Sequence, residues 1–196
     1  MRAALLLLAA CAATTPAPVT PQPATAPVTV PPAVSAAPSP LAQLEASRDL
    51  DNAVIGAQRT PTVVMLLASW CSHCRDELAV FDEIRAQHPH VRWLGLNYKA
   101  HEEYDDRGSS AAIHTLAGAT RWMRIVPADD ALFAAFGSPP KVPTIFVFDS
   151  RGTLVATFDR RERSAPREQE LDDLLRSIDT RAGPSRPSVS PQKQIR

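Results

Sequence analysis

The sequence predicts an α/β fold in which a central mixed β-sheet is flanked by helices. Segments with strand character alternate along the chain with segments whose apolar residues recur at helical spacing. The last two strand segments are joined by a short turn at residues 149–152, which makes them antiparallel neighbours. The chain has 196 residues, which is enough for one domain of common size once its unusual ends are set aside.

The first elements are a short helix and a buried strand that leads into an amphipathic helix. Residues 41–50 carry leucines among polar residues, which predicts the short helix. Residues 62–68 are apolar and partly β-branched, which predicts a central strand. The helix after this strand places Leu78, Phe81 and Ile84 three residues apart, so that one of its faces is apolar.

The remaining elements continue the alternation and close it with the hairpin. Predicted strands are residues 91–97, 122–126, 144–148 and 153–158, and predicted helices are residues 109–118, 129–136 and a last one that carries Leu171, Leu174, Leu175 and Ile178. An acidic loop at residues 102–106 separates the second strand from the next helix. We expect this loop to be a solvated surface.

Both ends of the chain differ in composition from the predicted domain at residues 41–180. Residues 1–11 contain one arginine and an apolar run, as a signal peptide does. Residues 12–40 are rich in proline and alanine and contain no charged residue, which predicts a disordered, extended linker. Residues 181–196 contain no acidic residue and several prolines, which predicts a disordered tail.

Cys11 follows Leu8-Ala9-Ala10, and this junction resembles the lipobox of bacterial lipoproteins. The resemblance implies that Cys11 is acylated and becomes the new N-terminus, so that acyl chains tether the protein at a membrane surface. The predicted location is therefore the periplasm or another extracytoplasmic space. The alternatives are an ordinary cleaved signal peptide and a misassigned start codon.

Charge and cysteine content limit the kinds of function. The formal net charge is zero, which gives no basis for binding nucleic acid. The chain has three cysteines, so the mature domain retains only Cys71 and Cys74 once Cys11 is lipidated or removed. A structural disulfide framework is excluded by this count, which leaves a redox pair or half of a zinc site. A zinc site would need two more ligands, and no other thiol is present.

The Cys-x-x-Cys motif stands where the predicted strand meets the predicted helix. Unpaired N–H groups and the helix dipole at this point stabilise a thiolate, and such motifs lower the cysteine pKa from about 8.5 to between about 3.5 and 7. We therefore assign Cys71 as the nucleophile and Cys74 as the resolving thiol. His73, between them, would stabilise the thiolate further and make the disulfide more oxidising, unless it is a solvent-exposed side chain with little effect.

Several segments resemble the thioredoxin superfamily over residues 41–180, and within it the TlpA/ResA-type and cytochrome c biogenesis thioredoxins. The segments are Trp70-Cys71-Ser72-His73-Cys74, Val142-Pro143-Thr144, residues 146–152 and residues 95–99. The chain departs from the family in three places. Ser72 replaces the usual proline or glycine, Met65 replaces the buried aspartate of thioredoxin proper, and no N-terminal β-hairpin is evident before residue 62.

The resemblance implies roles for four further residues. The peptide bond before Pro143 is expected to be cis, which would place Val142 beside the cysteines, where a substrate chain could pair as a short added strand. Trp70 is expected to pack next to the active site, the alternative being an ordinary core aromatic. Glu77 corresponds to a glutamate that could accept the Cys74 proton, the alternative being a charge that complements the helix N-terminus.

The leading hypothesis is an extracytoplasmic thiol–disulfide oxidoreductase that acts on protein cysteines, haem-attachment pairs among the candidates. It would be a monomer without a cofactor beyond its own disulfide, supplied with electrons by a membrane protein. Glu77 and the family resemblance favour a reductase, whereas Ser72 and His73 favour a disulfide oxidase or isomerase. A hypothesis of a different class is a Cu(I) chaperone that uses the two thiolates and a histidine.

Overall fold

The computed structural model describes residues 38–159 and 167–182, in which strands and helices alternate as the sequence predicts. The helices are α1 (Pro40–Ala46), α2 (Ser72–Gln87), α3 (Lys99–Glu102), α4 (Ser110–Ala119), α5 (Asp130–Ala135) and α6 (Arg167–Ala182). The strands are β1 (Thr62–Leu66), β2 (Arg92–Tyr98), β3 (Arg124–Ala128), β4 (Thr144–Phe148) and β5 (Leu154–Asp159). A 3-10 turn, Tyr104–Asp106, follows α3.

The strands form one mixed sheet in the order β3-β2-β1-β4-β5. β1 pairs with β2 in parallel and with β4 in antiparallel orientation, and β5 pairs antiparallel with β4 as the predicted hairpin. β1 is central and all five of its residues are buried, because helices cover both faces of the sheet. This arrangement confirms the predicted fold class.

Alternate residues of β1 enter two separate hydrophobic clusters. Val63 and Met65 face α2, α4 and α6, whereas Val64 and Leu66 face α1 and α5. The alternation follows from the two-residue period of a strand. The apolar face predicted for α2 enters the first of these clusters, so the helix that carries the Cys-x-x-Cys motif is fixed directly on the sheet.

The ends of the folded region differ slightly from the predicted 41–180. The Ser39 side chain caps α1 by accepting the backbone N–H of Ala42, and Pro40 occupies the first turn, where a proline costs no hydrogen bond. At the other end, α6 continues to Ala182. The predicted signal peptide with Cys11, nearly all of the predicted linker and most of the predicted tail lie outside the described residues.

Two predictions for the middle of the chain need correction. β3 lies at 124–128 rather than 122–126 and includes Pro127, which an edge strand tolerates because one of its sides lacks a partner strand. The acidic segment 102–106 is not wholly a solvated loop. α3 ends at Glu102, whose side chain is buried, and a 3-10 turn follows. Among the helices within residues 38–159 and 167–182, none combines the length and the apolar character that crossing a bilayer requires.

A polar contact attaches the C-terminal end of α2 to α6. His88 is buried and is the C-cap of α2. Its Nε2 is 2.7 Å from Oδ1 of Asp172, and Arg176 Nε donates to Oδ2 of the same carboxylate at 2.9 Å. These hydrogen bonds, that of Arg176 first, lower the pKa of Asp172 below its ordinary value of 3.8. The charged carboxylate is therefore the form that the folded state favours.

We expect Asp172→Asn to lower the free energy of unfolding by about 1–3 kcal/mol near neutral pH, because it weakens hydrogen bonds to a buried histidine and to Arg176. A lowered pKa contributes stability that is present above about pH 4 and is lost as the pH falls through the folded-state value. The difference between wild type and variant should therefore shrink below pH 4. Urea unfolding at several pH values measures it, and a difference that grows in acid would contradict this account.

Candidate active site

Cys71 is the N-cap of α2, at the point where the chain leaves the sheet. Its backbone is extended (φ −76°, ψ 110°), and its Sγ accepts the backbone N–H of Cys74 at 3.1 Å. The sulfur thus occupies the place of a capping oxygen, at the positive end of a 16-residue helix. A negative charge on Sγ strengthens both interactions, so this position favours the thiolate.

Cys74 lies one turn further along α2 and has no solvent-exposed surface. Burial is the largest cause that raises the pKa of Cys74 far above its usual range. The hydrogen bond and charge of Cys71 and the charge of Glu77 act in the same direction, against a backbone hydrogen bond from Ala68. Both cysteines are free thiols, and Cys71 is also largely buried, with 4% of its surface exposed. What distinguishes Cys71 is its position as the N-cap of α2. The pair is therefore chemically unequal, as expected for a nucleophile and a resolving thiol.

This inequality predicts selective alkylation of the reduced protein. Near neutral pH we expect iodoacetamide to modify Cys71 and to leave Cys74 unmodified, because the thiolate is the reacting species and burial suppresses it at Cys74. Peptide mass mapping after a timed reaction measures the two sites separately. Both thiols should react in guanidinium chloride, which provides the control, and equal modification of both sites in the folded protein would contradict the prediction.

Glu77 is close enough to Cys74 for its charge to raise the pKa of that thiol. The side chain is half-buried and stands three residues after Cys74 on α2, so the structure brings together the two groups that the sequence associates. Met65, in the position of the buried aspartate of thioredoxin proper, is fully buried in the apolar cluster under α2. Met65 has no carboxylate, so Glu77 is the acidic residue whose charge acts on Cys74.

His73 lies on the outer surface of α2. Its side chain is 48% exposed, and Nδ1 is 3.6 Å from Oδ2 of the exposed Asp76. An ion pair this exposed contributes little to stability. The effect of His73 on the redox chemistry stays a prediction.

The register of the sheet places Val142 and Pro143 at the active-site end of β1. In the antiparallel β1–β4 pair, Thr144 lies opposite Leu66, so the residues just before β4 face the connection between β1 and α2. The Val142–Pro143 peptide bond is cis, as the sequence resemblance implies. Val142 is half-buried and packs against both hydrophobic clusters.

A groove of about 420 Å³ lies beside these residues. We call it the active-site groove, and its lining consists of Trp70, His101, Tyr104, Pro140, Lys141 and Val142. Trp70 is half-buried, and its Nε1 donates to the carbonyl oxygen of His101 at 2.9 Å. Trp70 is therefore a wall of the groove rather than only a core aromatic. The guanidinium of Arg107 lies 5.3 Å from the centre of the Trp70 ring, which adds a cation–π contact at the rim.

The segment at residues 99–108 contributes groove residues that the sequence did not predict. Tyr104 belongs to the segment 102–106 interpreted as solvated, and His101 stands immediately before it. No spacing in the sequence connects either residue with Trp70. Glu102, next to His101, is only 3% exposed, because N–H and O–H donors of Ser69 and Asn97 surround its carboxylate. Such donors offset the cost of burying the charge.

The histidines are dispersed over the described residues. His88 is buried at the end of α2, and burial lowers the pKa of half-buried His101. Within residues 38–159 and 167–182, no group of three or more His, Cys, Asp or Glu side chains is arranged to hold a metal ion. The Cu(I) hypothesis therefore has no third ligand in this part of the chain.

No protein-family model and no curated protein match the sequence. Solved structures do match. A secreted disulfide oxidoreductase of Mycobacterium tuberculosis, homologous to DsbE of Escherichia coli, is 18% identical with a TM-score of 0.53, and the match covers 67% of this chain and 93% of that one. A thiol:disulfide interchange protein of the thioredoxin family from Chlorobium tepidum is 15% identical with a TM-score of 0.54, covering 67% and 90%.

A thioredoxin-like protein from Aeropyrum pernix is 14% identical with a TM-score of 0.56, and the match covers 67% of this chain and 87% of that one. Each match spans most of the solved protein, so the similarity concerns the whole domain rather than a single motif. Identities this low establish shared architecture. The chain therefore has the thioredoxin fold, with its Cys-x-x-Cys motif at the first turn of α2 and a cis-proline immediately before β4.

Proposed function

We propose that this protein is a thiol–disulfide oxidoreductase that acts on protein cysteines. One observation carries the proposal: Cys71 Sγ caps α2 by accepting the Cys74 N–H, while Cys74 itself is buried one turn away. This geometry favours a thiolate on the first cysteine and a protonated thiol on the second. Names of the matching solved structures, which include a disulfide oxidoreductase and a thiol:disulfide interchange protein, support the same chemistry.

The proposed reaction has two exchange steps. The Cys71 thiolate attacks one sulfur of a substrate disulfide, which forms a mixed disulfide and releases the other substrate sulfur as a thiolate that takes up a proton. Cys74 then loses its proton and attacks Cys71 Sγ, which forms the Cys71–Cys74 disulfide and releases the second substrate thiol. Two electrons pass to the substrate, and an external dithiol donor must reduce the protein again.

We assign Glu77 as the acceptor of the Cys74 proton. Burial opposes ionisation of Cys74, so the second step needs a base close to that thiol. The Glu77 charge contributes to the raised pKa of Cys74, which supports this assignment. The half-buried position of Glu77 leaves it able to exchange the proton with solvent.

We place the substrate chain in the active-site groove, next to Val142. The groove combines the aromatic faces of Trp70 and Tyr104 with the exposed Lys141, a mixed surface suited to an extended polypeptide. Pairing to the backbone near Val142 would recognise many sequences, because main-chain hydrogen bonds do not depend on side-chain identity.

We propose a reductase outside the cytoplasm, held at a membrane through Cys11 and reduced by a membrane electron-donor protein. Glu77 beside Cys74 supports the reductase direction, and the match to a secreted oxidoreductase supports the location. The sequence Ser72-His73 between the cysteines favours the second candidate, a disulfide oxidase or isomerase. His73 would act by stabilising the thiolate and so raising the potential.

The reduction potential of the Cys71–Cys74 pair tests the proposal and its direction. The full chain is equilibrated in glutathione buffers, the thiols are trapped by acid and alkylation, and the oxidised fraction is measured by mass spectrometry. A single two-electron transition near or below about −250 mV supports the reductase, whereas one near about −120 mV supports the oxidase. The metal content is measured after purification under reducing conditions. One Cu(I) per chain in the wild type, absent in Cys71→Ser, would instead support the metal chaperone.

A further inference from the structure

Glu102 is a buried carboxylate that the proposed exchange steps do not use. Both of its oxygens accept hydrogen bonds: Oε2 from the Ser69 backbone N–H at 2.8 Å and from Asn97 Nδ2 at 2.9 Å, and Oε1 from the Ser69 hydroxyl. Ionised carboxylates form stronger hydrogen bonds than neutral acceptors do. The energy of these bonds compensates the burial of the charge and fixes the carboxylate in one place.

The partners of Glu102 belong to the connection that leads into the active site. Ser69 stands immediately before Trp70, two residues before Cys71. Asn97 Nδ2 also donates to the carbonyl oxygen of Leu67 at 3.1 Å. Glu102 and Asn97 therefore hold the backbone at residues 67–69, between β1 and α2, against the end of β2.

The residue next to Glu102 makes a second link to the same connection. The carbonyl oxygen of His101 accepts the Trp70 Nε1–H at 2.9 Å, and both residues line the active-site groove together with Tyr104. Glu102 thus binds Ser69, and the neighbouring His101 binds Trp70, which follows Ser69 in the chain. This double link holds Trp70 next to the segment that carries Tyr104, whose ring centre lies 6.4 Å from that of Trp70.

The backbone at Gly108 passes close to Glu102. A Cβ atom added to Gly108 would overlap both the backbone oxygen and the side-chain Oε1 of Glu102. The segment at residues 99–108 therefore closes tightly around this carboxylate, and glycine is the residue that permits the approach.

We propose that Glu102 is a positioning residue that holds the groove wall at residues 99–108 against the connection into α2 and thereby sets the affinity for polypeptide substrates. Glu102 acts through Ser69 and Trp70, and its carboxylate accepts hydrogen bonds from Ser69 and Asn97. The inference rests on the proposed function, because the groove is taken to bind the substrate chain.

The test compares Glu102→Ala with Glu102→Gln in the full chain, with insulin as the polypeptide substrate and dithiothreitol as the electron donor. Alanine removes all three acceptor contacts and should raise the KM for insulin about tenfold, with little change in kcat. Glutamine has the same shape, since its Oε1 can accept from Ser69 N–H and Asn97 while its amide donates to the Ser69 hydroxyl. It should keep the KM within about 1.5-fold of wild type, well below the threefold rise that loss of one contact is expected to cause.

A small reagent separates positioning from an effect on the thiolate. The rate of Cys71 alkylation by iodoacetamide, measured against pH, requires no groove and should be unchanged in both variants. Glu103→Ala is the matched control, because this neighbouring glutamate is exposed and pairs only loosely with Lys99, at 3.8 Å. It should show wild-type KM and alkylation.

Several results would overturn the inference. A wild-type KM in Glu102→Ala, a KM in Glu102→Gln as high as in the alanine variant, or a shifted pH profile of alkylation would each contradict positioning by hydrogen-bond geometry. If Glu102→Ala does not fold, Ser69→Ala removes one of the contacts while the backbone N–H remains, and it should raise KM about threefold; an unchanged KM would then contradict the proposal. If the wild-type protein does not accelerate insulin reduction by dithiothreitol, the proposed function itself is refuted.

Discussion

Serine in place of Cys71 is expected to lower the rate of insulin disulfide reduction by at least about 10³-fold, to the uncatalysed level. The attacking species is a thiolate, and a serine hydroxyl does not ionise near neutral pH. Serine is itself a favoured N-cap residue, so its oxygen can accept the Cys74 N–H that Cys71 Sγ accepts now. The expected loss is therefore chemical, and the midpoint of thermal unfolding should change little.

Cys74→Ser provides the matched control for the order of the two steps. This variant retains the Cys71 nucleophile and lacks the resolving thiol, so it should accumulate a mixed disulfide with a substrate cysteine. Mass spectrometry of the acid-quenched reaction measures the adduct, which dithiothreitol should release. An adduct that forms in Cys71→Ser but not in Cys74→Ser would show that the roles of the two cysteines are reversed.

Alanine in place of Phe81 is expected to lower the free energy of unfolding by about 3–5 kcal/mol. The Phe81 ring is 1% exposed, and its centre lies 4.9 Å from the Trp93 ring of β2, between α2 and the sheet. Truncation removes these contacts and leaves a cavity that the surrounding strands cannot close fully. Because α2 carries both cysteines, the same change should make Cys74 more accessible to alkylation.

Glu83→Ala, on the exposed face of the same helix, is the control for Phe81→Ala. Its effect should stay within about 0.5 kcal/mol, since the side chain lies outside the core. Guanidinium chloride unfolding monitored by circular dichroism measures both variants, and the slope against denaturant should match the wild type. A loss below about 1 kcal/mol in Phe81→Ala would mean that the α2–sheet contact contributes little to stability.

The interior of the sheet follows closely from local sequence. β1 and β4 are runs of apolar, β-branched or aromatic residues that a buried strand requires, and the hairpin to β5 is marked by its turn. The pattern is weaker at β3, where Pro127 interrupts the strand signal, and the predicted bounds are shifted by two residues. A proline is tolerated in β3 because β3 is an edge strand. Whether a strand lies at the edge is known only once the sheet is assembled.

The two halves of the active site differ in how far they can be predicted. Cys71 and Cys74 are only three residues apart in sequence, and their positions relative to the helix follow from local geometry. Pro143 lies far away along the chain, and only its resemblance to a family motif connects it with them. His101 and Glu102 had neither signal, and an acidic segment with high polarity is typical of a solvated loop.

Glu102 shows why tertiary contacts reversed that interpretation. Its partner Ser69 is 33 residues away in sequence. A carboxylate is buried only where enough donors converge on it, and the donors here come from the β1–α2 connection and the end of β2. No local pattern encodes that convergence, because it depends on the parallel pairing of β1 with β2.

Local sequence is enough to predict the α/β class, the central strands, the amphipathic helix and the chemical type of the site, because period, apolarity and the Cys-x-x-Cys spacing are local properties. Contacts between distant segments determine which side chains lie near the connection into α2. Sheet order and register brought Val142 and Pro143 to the end of β1, and buried Glu102 beneath the connection into α2. These outcomes depend on contacts between distant segments, which only the packed chain defines.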